Sequence, residues 1–402
     1  MSLKKCQICK TKLVKAFSLG KVPLCDDLIK INSKKKNKLY PINIKFCNKC
    51  KTAFNNITVK KNFLFPKNYH YRARLTKDVV NGMRDFCKKI QKKYGSLKNK
   101  VVVDIGCNDG TLLNFFKKKK AITIGVEPTN AIRDCNKNHN LLINQYFSKD
   151  VSKKIKKNYP KIDFIIFTNV FAHINNFKNL VSNLKILIGP NTKIVIENHY
   201  LGSVIRDVQF DTFYHEHPRT YSLTSFYYIS NLLGLRFNDF EFPKRYGGNI
   251  RVFLSNSKKI NKKKLLFFMN KEIFFLKSLK KLKEKFNQWK KNKYLEIKKI
   301  FKIYGKLEAK AFPGRAAVIL NLIKIEKFIL CIYEKNNSPK VGHYAPGTKI
   351  PIIKDKTLFD KKKKPKFILN LAWHIKKEIK KYLNQNLVKS KVINIIDKKD
   401  FN

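Results

Sequence analysis

Four consecutive residues, Tyr214-His215-Glu216-His217, form the densest run of proton-handling side chains, inside QFDTFYHEHPRTYS at 209–222. Histidines two positions apart do not share one helical face, so this is not the HExxH zinc grip of metallopeptidases. A histidine base beside a carboxylate is the simpler chemistry, with Glu216 holding and polarising an imidazole. The same residues would also suit a polar loop packed over a sheet. Residue types alone leave both readings open.

Cys6 and Cys9 frame one CxxC, and Cys47 and Cys50 frame another. Two intervening residues let both thiolates of a pair reach one ion from a tight turn. Two pairs close a tetrahedral shell with no position left for chemistry. The spacing predicts a structural zinc that folds a unit too poor in core to fold alone. A redox CxxC would leave the second pair unexplained. Cys25, Cys87, Cys107, Cys135 and Cys331 lack such pairing and read as buried or incidental thiols.

The third constellation is VVVDIGCNDG at 101–110, followed by TLLNFF. An apolar run ending in an acid and a glycine-rich turn, then a helix start, reads as the first unit of a parallel α/β sheet. Gly106 and Gly110 let the backbone turn sharply and approach a ligand at the helix N-terminus. Asn108 stands where a dinucleotide loop needs glycine against pyrophosphate, which points to S-adenosylmethionine, a cofactor without one. Asp104 would orient its ammonium, directly or through water. Glu127, ending the next strand in AITIGVEP, would accept from both ribose hydroxyls.

The elements that position these groups follow the rhythm of strands. LLINQYF (141–147) is expected to line the adenine pocket, and DFIIFTNVFAHI (163–174) brings Asn169 and His173 to the same sheet edge. KIVIENHY (193–200) is the fifth strand, and 237–256 reads as a closing hairpin punctuated by Gly247-Gly248. Residues 262–300 carry Leu276, Leu279, Leu282, Phe286 and Trp289 at helical spacing, an amphipathic connecting helix with a membrane-surface helix as the alternative. AAVILNLIKI then reads as a helix, and FILCIYEK and KFILNLAW as strands of a second small α/β lobe. Glu334 ends a strand as a ribose-binding acid would, although an ordinary exposed glutamate is the plainer reading.

The 402 residues suit two or three domains, and 43% hydrophobic content excludes a disordered chain. The net charge of +61 invites a nucleic-acid reading. Lysine far outnumbers arginine, however, and is spread along the whole chain instead of forming one basic face, which disfavours nucleic acid as the partner. No apolar run approaches the ~20 residues of a membrane span, so no membrane partner is expected. The opening MSLKKCQICK contains no targeting segment, and the metal-like cysteine spacing suits a reducing compartment; a cytoplasmic protein is expected.

Taken in order, CxxC…CxxC, DIGCNDGTLL, GVEP, NVFAHI, IENHYL, QFDTFYHEH, YGGNIRVF, YAPGTKIPI and NLAWHI resemble the zinc-binding sugar C-methyltransferases that act on nucleotide-linked keto-deoxysugars. The resemblance covers nearly the entire chain. It implies an α/β protein: a zinc-binding lobe at 1–65, a class I methyltransferase doubly wound core at 66–258, and at 259–402 a connecting helix with a small Rossmann-like C-terminal lobe. It implies His217 as the base, with Tyr214, Glu216 and His173 lining the sugar pocket. NYHYRARLTK resembles the family's approach to the cofactor site, which makes Tyr69 and Tyr71 candidate substrate-binding residues. Two departures stand out: KLEAKAFPGRAA follows Gly305 where the family's last lobe opens with a glycine-rich turn, and Arg219 replaces an uncharged residue.

Carbon methylation needs a carbanion equivalent, and a C–H bond is acidic enough only beside a carbonyl. A nucleotide-linked keto-sugar supplies one, and no catalytic metal is required. Two other functions compete: an RNA methyltransferase, and a zinc-dependent RNA-binding or assembly protein with a vestigial core. Cofactor binding separates the last from the others, and steep salt dependence of RNA affinity would favour the RNA enzyme.

Overall fold

A computed structural model describes residues 3–67, 69–257 and 260–401. The run at 101–105 is buried at every position, as a strand covered on both faces must be. It is β1 (Val101–Ile105), followed by β2 (Ile122–Val126), β3 (Leu141–Ile143), β4 (Phe164–Thr168), β5 (Lys193–His199), β6 (Arg236–Glu241) and β7 (Asn249–Ser255). They lie in the order β3-β2-β1-β4-β5-β7-β6. The first five are parallel, and β7 is antiparallel to both β5 and β6. That is the doubly wound sheet of a class I methyltransferase. Strand order reverses between β1 and β4, with β2 and β3 added on one side and β5 on the other, leaving a crevice at the carboxyl ends of the strands.

The third core strand is shorter than 141–147 suggests. It stops at Ile143 because Asn144 turns its amide inward, donating to the carbonyls of Glu127 at 2.8 Å and Thr129 at 2.9 Å. The residue that would continue the strand braces the acidic turn after β2 instead.

Two of the three lobes lend a strand to another. Val14–Val22, Tyr40–Phe46 and Ala53–Asn55 form the N-terminal antiparallel sheet, and Arg219–Thr220 from the core completes it. Ile29–Lys30 leaves that lobe to pair with His343–Tyr344 on the edge of the C-terminal sheet. The remaining C-terminal strands, Lys391–Asn394, Phe367–Asn370, Leu307–Lys310, Ile329–Glu334 and Pro351–Lys354, are parallel in that order. Gly305 precedes the first of these strands, so the loop that matters is Ala311–Pro313, with Gly314 opening the helix Gly314–Ile323. The expected boundary at 258/259 lies outside the described residues.

The connecting segment is two helices, Lys262–Lys271 and Phe275–Tyr304, joined by the turn Glu272–Phe274. Leu279, Leu282, Phe286 and Trp289 are buried, while Leu276 packs at the core's margin. The rings of Phe286 and Trp289 meet Phe210 at 4.9 and 4.7 Å. The Trp289 indole donates to the carbonyl of Ile395 at 3.0 Å. This helix therefore supports, from behind, the turn that leads into Tyr214–His217.

Candidate functional site

The four cysteines at positions 6, 9, 47 and 50 converge, all four sulfurs lying within 4.8 Å of one another. Cys6 to Cys50 is 3.5 Å and Cys9 to Cys47 is 3.3 Å, against about 3.8 Å for the sulfur–sulfur edge of a tetrahedral zinc with 2.3 Å bonds. The two knuckles are built alike. Lys10 donates its N–H to the Cys6 carbonyl at 3.1 Å and Lys51 to that of Cys47 at 2.9 Å. Both lysines sit in the left-handed region, at φ 63° and 55°. The N–H groups of Ile8, Cys9 and Cys50 point at the sulfurs of Cys6 and Cys47, at 3.4–3.5 Å. Among the described residues this is the one cluster of three or more potential metal ligands within reach of a single ion.

A cleft of about 2060 Å³ opens at the carboxyl edge of the core sheet and extends to the C-terminal lobe. That exceeds the roughly 300–1,000 Å³ of a pocket for one small ligand. Asp104, Gly106, Asn108 and Glu127 line it at the ends of β1 and β2. Asp104 is buried, and its Oδ1 has no hydrogen-bond partner. Burial and the nearby Glu127 push its carboxyl up to about 8. Glu127 accepts from the N–H of Asn108 at 3.1 Å and from the N–H and hydroxyl of Thr129 at 2.9 and 2.7 Å, so its carboxylate is preset. A Cβ on Gly106 would stand 2.6 Å from Val170; only glycine fits there.

Two members of the expected cradle act differently. Gly110 does not line the cleft. At φ 71° it turns the chain into the helix Thr111–Lys117, and a Cβ there would stand 2.9 Å from the Cys135 sulfur. Asn108 uses its amide as a strap: Oδ1 accepts from the Ala73 N–H at 2.9 Å, and Nδ2 donates to the Tyr71 carbonyl at 3.2 Å. The 69–73 segment is thereby folded over the loop, with both Tyr69 and Tyr71 on the cleft wall. Asn169, at φ 56°, also lines it, its Oδ1 accepting from Asn249 at 3.3 Å.

His217 sits among three rings: Tyr214 at 4.2 Å, His173 at 5.0 Å and His199 at 5.3 Å. The Thr212 carbonyl is 2.9 Å from its Nδ1, which assigns the proton to that nitrogen and leaves Nε2 as the lone pair. Burial, then the neighbouring histidines, holds its pKa well below 6.5. His173 is stacked between His217 and Phe65, and burial lowers it to about 4. Burial raises Tyr214 well above the usual phenol. The cleft centre therefore holds neutral groups.

The structure corrects the expected role of Glu216. It does not hold a histidine; the Thr212 carbonyl does. Successive side chains of the turn point apart, and Glu216 hydrogen-bonds Tyr69 and faces Asp26 and Lys340, its carboxyl pushed well up by burial and then by Asp26. His215 lies outside the cleft, its ring 5.6 Å from Tyr40 of the N-terminal lobe.

Three family models tile the chain almost end to end: a putative zinc binding domain over residues 6–65, a methyltransferase domain over 73–237, and a C-methyltransferase C-terminal domain over 244–394. Together these matches support a zinc-binding C-methyltransferase family for the chain. It is 24% identical over 251 residues to the C-methyltransferase NovU of Streptomyces niveus, an alignment covering 62% of this chain and 60% of that one. A ubiquinone biosynthesis O-methyltransferase of Coxiella burnetii is 31% identical over 103 residues, 25% of this chain and 43% of that one. The chain thus spans less than two thirds of the length of the curated relatives it matches. Among solved structures, the magnesium protoporphyrin IX methyltransferase of Synechocystis PCC 6803 with bound SAM matches at TM-score 0.34 and 13% identity, covering 45% of this chain and 80% of that one.

The far wall of the cleft comes from residues that sequence reasoning missed. Asp26, His199, Arg315, Lys340 and Trp373 all line it. Arg315 binds both carboxylate oxygens of the buried Asp211, at 2.6 and 3.0 Å, and the Thr212 hydroxyl at 2.9 Å. The Trp373 indole adds a bond to Asp211 at 2.9 Å. Thr212 thus joins the C-terminal lobe to the imidazole of His217. The available signal was FPGRAA, a loop and helix start carrying an arginine. Arg315→Ala should strand Asp211 and lower stability by about 3–5 kcal/mol, read as an earlier denaturation midpoint. An unchanged midpoint would show that Trp373 alone satisfies Asp211.

Proposed function

We propose that this protein transfers a methyl group from S-adenosylmethionine to the carbon next to the ketone of a nucleotide-linked sugar. His217 is the general base, and Cys6, Cys9, Cys47 and Cys50 hold a structural zinc. One observation carries the reading: a neutral histidine with a free Nε2 lies in a single cleft between two α/β units, each ending its second strand in a preset acid. Glu127 accepts the Asn108 N–H at 3.1 Å, and Glu334 accepts the Phe312 N–H at 2.7 Å. Acids so placed suit ribose hydroxyls, one for the cofactor and one for the nucleoside of the substrate. Lys335 and Lys340 on the same wall offer charge to a diphosphate.

The cofactor, when bound, supplies an electrophilic methyl group on a sulfonium sulfur that leaves as a neutral thioether. Asp104 fits its ammonium, because a cation would satisfy the buried Oδ1 and draw the raised carboxyl back to its ionised form. His217 Nε2 takes the proton from the carbon beside the ketone, and that carbon's electron pair forms the new bond to the methyl group. Tyr214, whose phenol burial raises well above its usual range, donates a hydrogen bond to the enolate oxygen, and Glu216 on the same wall hydrogen-bonds sugar hydroxyls. Phe65 and the stacked histidines keep water from the reacting carbon.

Nucleotide-linked keto-sugars incubated with deuteromethyl-labelled cofactor test the reading by mass spectrometry. Label on a sugar carbon is expected; label on oxygen, or on RNA in place of the sugar, would overturn it. Glu127→Ala should weaken cofactor binding by about tenfold or more, since two charge-assisted hydrogen bonds to ribose are lost. An unchanged dissociation constant by calorimetry would remove Glu127 from that role.

A further inference from the structure

The helix Lys262–Lys271 and the turn Glu272–Phe274 have two unlike faces. Leu265, Glu272 and Phe275 point into the protein. Leu266, Phe267, Ile273 and Phe274 do not: they are 44, 57, 55 and 66% exposed. Seven-residue spacing places Leu266 with Ile273 and Phe267 with Phe274 on one side. Single exposed apolar residues are ordinary, but four large ones on two turns form a patch.

The charge around the patch has one sign. Between residues 260 and 283 the only acid is Glu272. It is fully buried, accepting from the N–H groups of Leu223 and Thr224 at 2.8 and 2.9 Å and from the Tyr200 hydroxyl at 2.9 Å. Lys264 turns back to Asp239 at 3.1 Å. Lys262, Lys263, Lys271 and Lys277 remain exposed, with the Lys271 ammonium 4.1 Å from the Phe267 ring.

We propose that this face docks on the headgroup layer of an anionic lipid bilayer. Exposed phenylalanine and leucine beside lysines, on a helix whose other face is anchored to a protein, is the arrangement that lies in a membrane interface. No helix among the described residues is long and apolar enough to cross a membrane, so the contact is superficial. A protein partner fits less well, because lysine is depleted where protein interfaces form. A second copy fits worse: a two-fold axis through the patch would set lysine against lysine on chains already carrying +61.

The full chain is sedimented with vesicles of phosphatidylcholine alone and with vesicles containing roughly 30 mol% phosphatidylglycerol. Binding is expected only to the anionic vesicles. The double variant Phe267→Ser/Phe274→Ser should weaken it by about tenfold or more, with the melting temperature unchanged because both side chains are exposed. Replacing Leu387, 79% exposed elsewhere, should leave binding intact. Equal binding by the double variant would overturn the proposal, since bulk charge would then suffice, and so would no binding by wild type. Wild-type dimers converted to monomers by the double variant would assign the patch to a second copy, and loss of RNA binding with vesicle binding intact would assign it to RNA; either overturns the proposal.

Discussion

His217→Ala is expected to leave affinity for S-adenosylmethionine nearly unchanged and to slow methyl transfer by about 10²–10⁴-fold, the usual loss with a general base. The cofactor's expected contacts, Asp104 on β1 and Glu127 just past the end of β2, lie away from the turn that carries His217. The variant should also lose exchange of the sugar's acidic hydrogen with heavy water, where wild type shows that exchange without methyl transfer. His215→Ala should have a much smaller effect, because its ring packs on Tyr40 outside the cleft. The pH profile is a second readout. Burial holds His217 well below 6.5, so the base stays unprotonated through the neutral range, and kcat/KM should decline only well into acid. A profile half lost near 6.5 would contradict a buried neutral base. A dead His215→Ala beside an active His217→Ala would transfer the role, and two active variants would end the carbanion mechanism.

Cys47→Ser is expected to abolish zinc binding and unfold more than the knuckle it belongs to. Structural zinc contributes on the order of 10 kcal/mol to small zinc-folded units, comparable to the whole margin of about 5–15 kcal/mol of a typical protein. Damage should spread, because the metal lobe caps a core helix. The hydroxyls of Ser222 and Ser225, at the start of the helix Leu223–Leu233, donate to the Cys50 carbonyl at 3.4 and 3.1 Å. Thr52 meets Ser225 at 2.7 Å, and Arg219–Thr220, two residues past His217, pairs with Ala53 and Phe54. Elemental analysis should find zinc in wild type and none in the variant, with protease sensitivity in the N-terminal lobe and reduced methyl transfer. Wild-type protein devoid of zinc, or a variant with unchanged melting, would sink the assignment.

Local signals in the sequence were enough for the parts whose geometry is set within a few residues. A CxxC turn presents two sulfurs whatever surrounds it, and the pairing of the two knuckles follows from valence. The apolar run ending at Asp104, and the next ending at Glu127, place two acids on one sheet edge because parallel strands share a direction. The same reasoning did not foresee that Gly110, at the expected turn into the helix, also has Cys135 packed behind it, where a Cβ would stand 2.9 Å from the sulfur. It also misjudged Glu216, since adjacency in sequence says nothing about where neighbouring side chains of a turn point.

The sequence by itself determined the two cysteine turns, the glycine-rich loop after the first core strand, the alternation of strands and helices, and the turn bearing His217. Only the tertiary structure decided which atom holds that histidine and what faces it. The Thr212 carbonyl, the stacked His173, the tilted ring of His199, Arg315 from a lobe about a hundred residues downstream, and Asp26 from one nearly two hundred residues upstream meet at the turn. No spacing rule links such positions, because their distances are set by strands exchanged between lobes and by Phe286 and Trp289 packing against Phe210. Burial does the rest: desolvation, the largest cause of the shifts at His217, His173 and Glu216, exists only once the chain has closed around them.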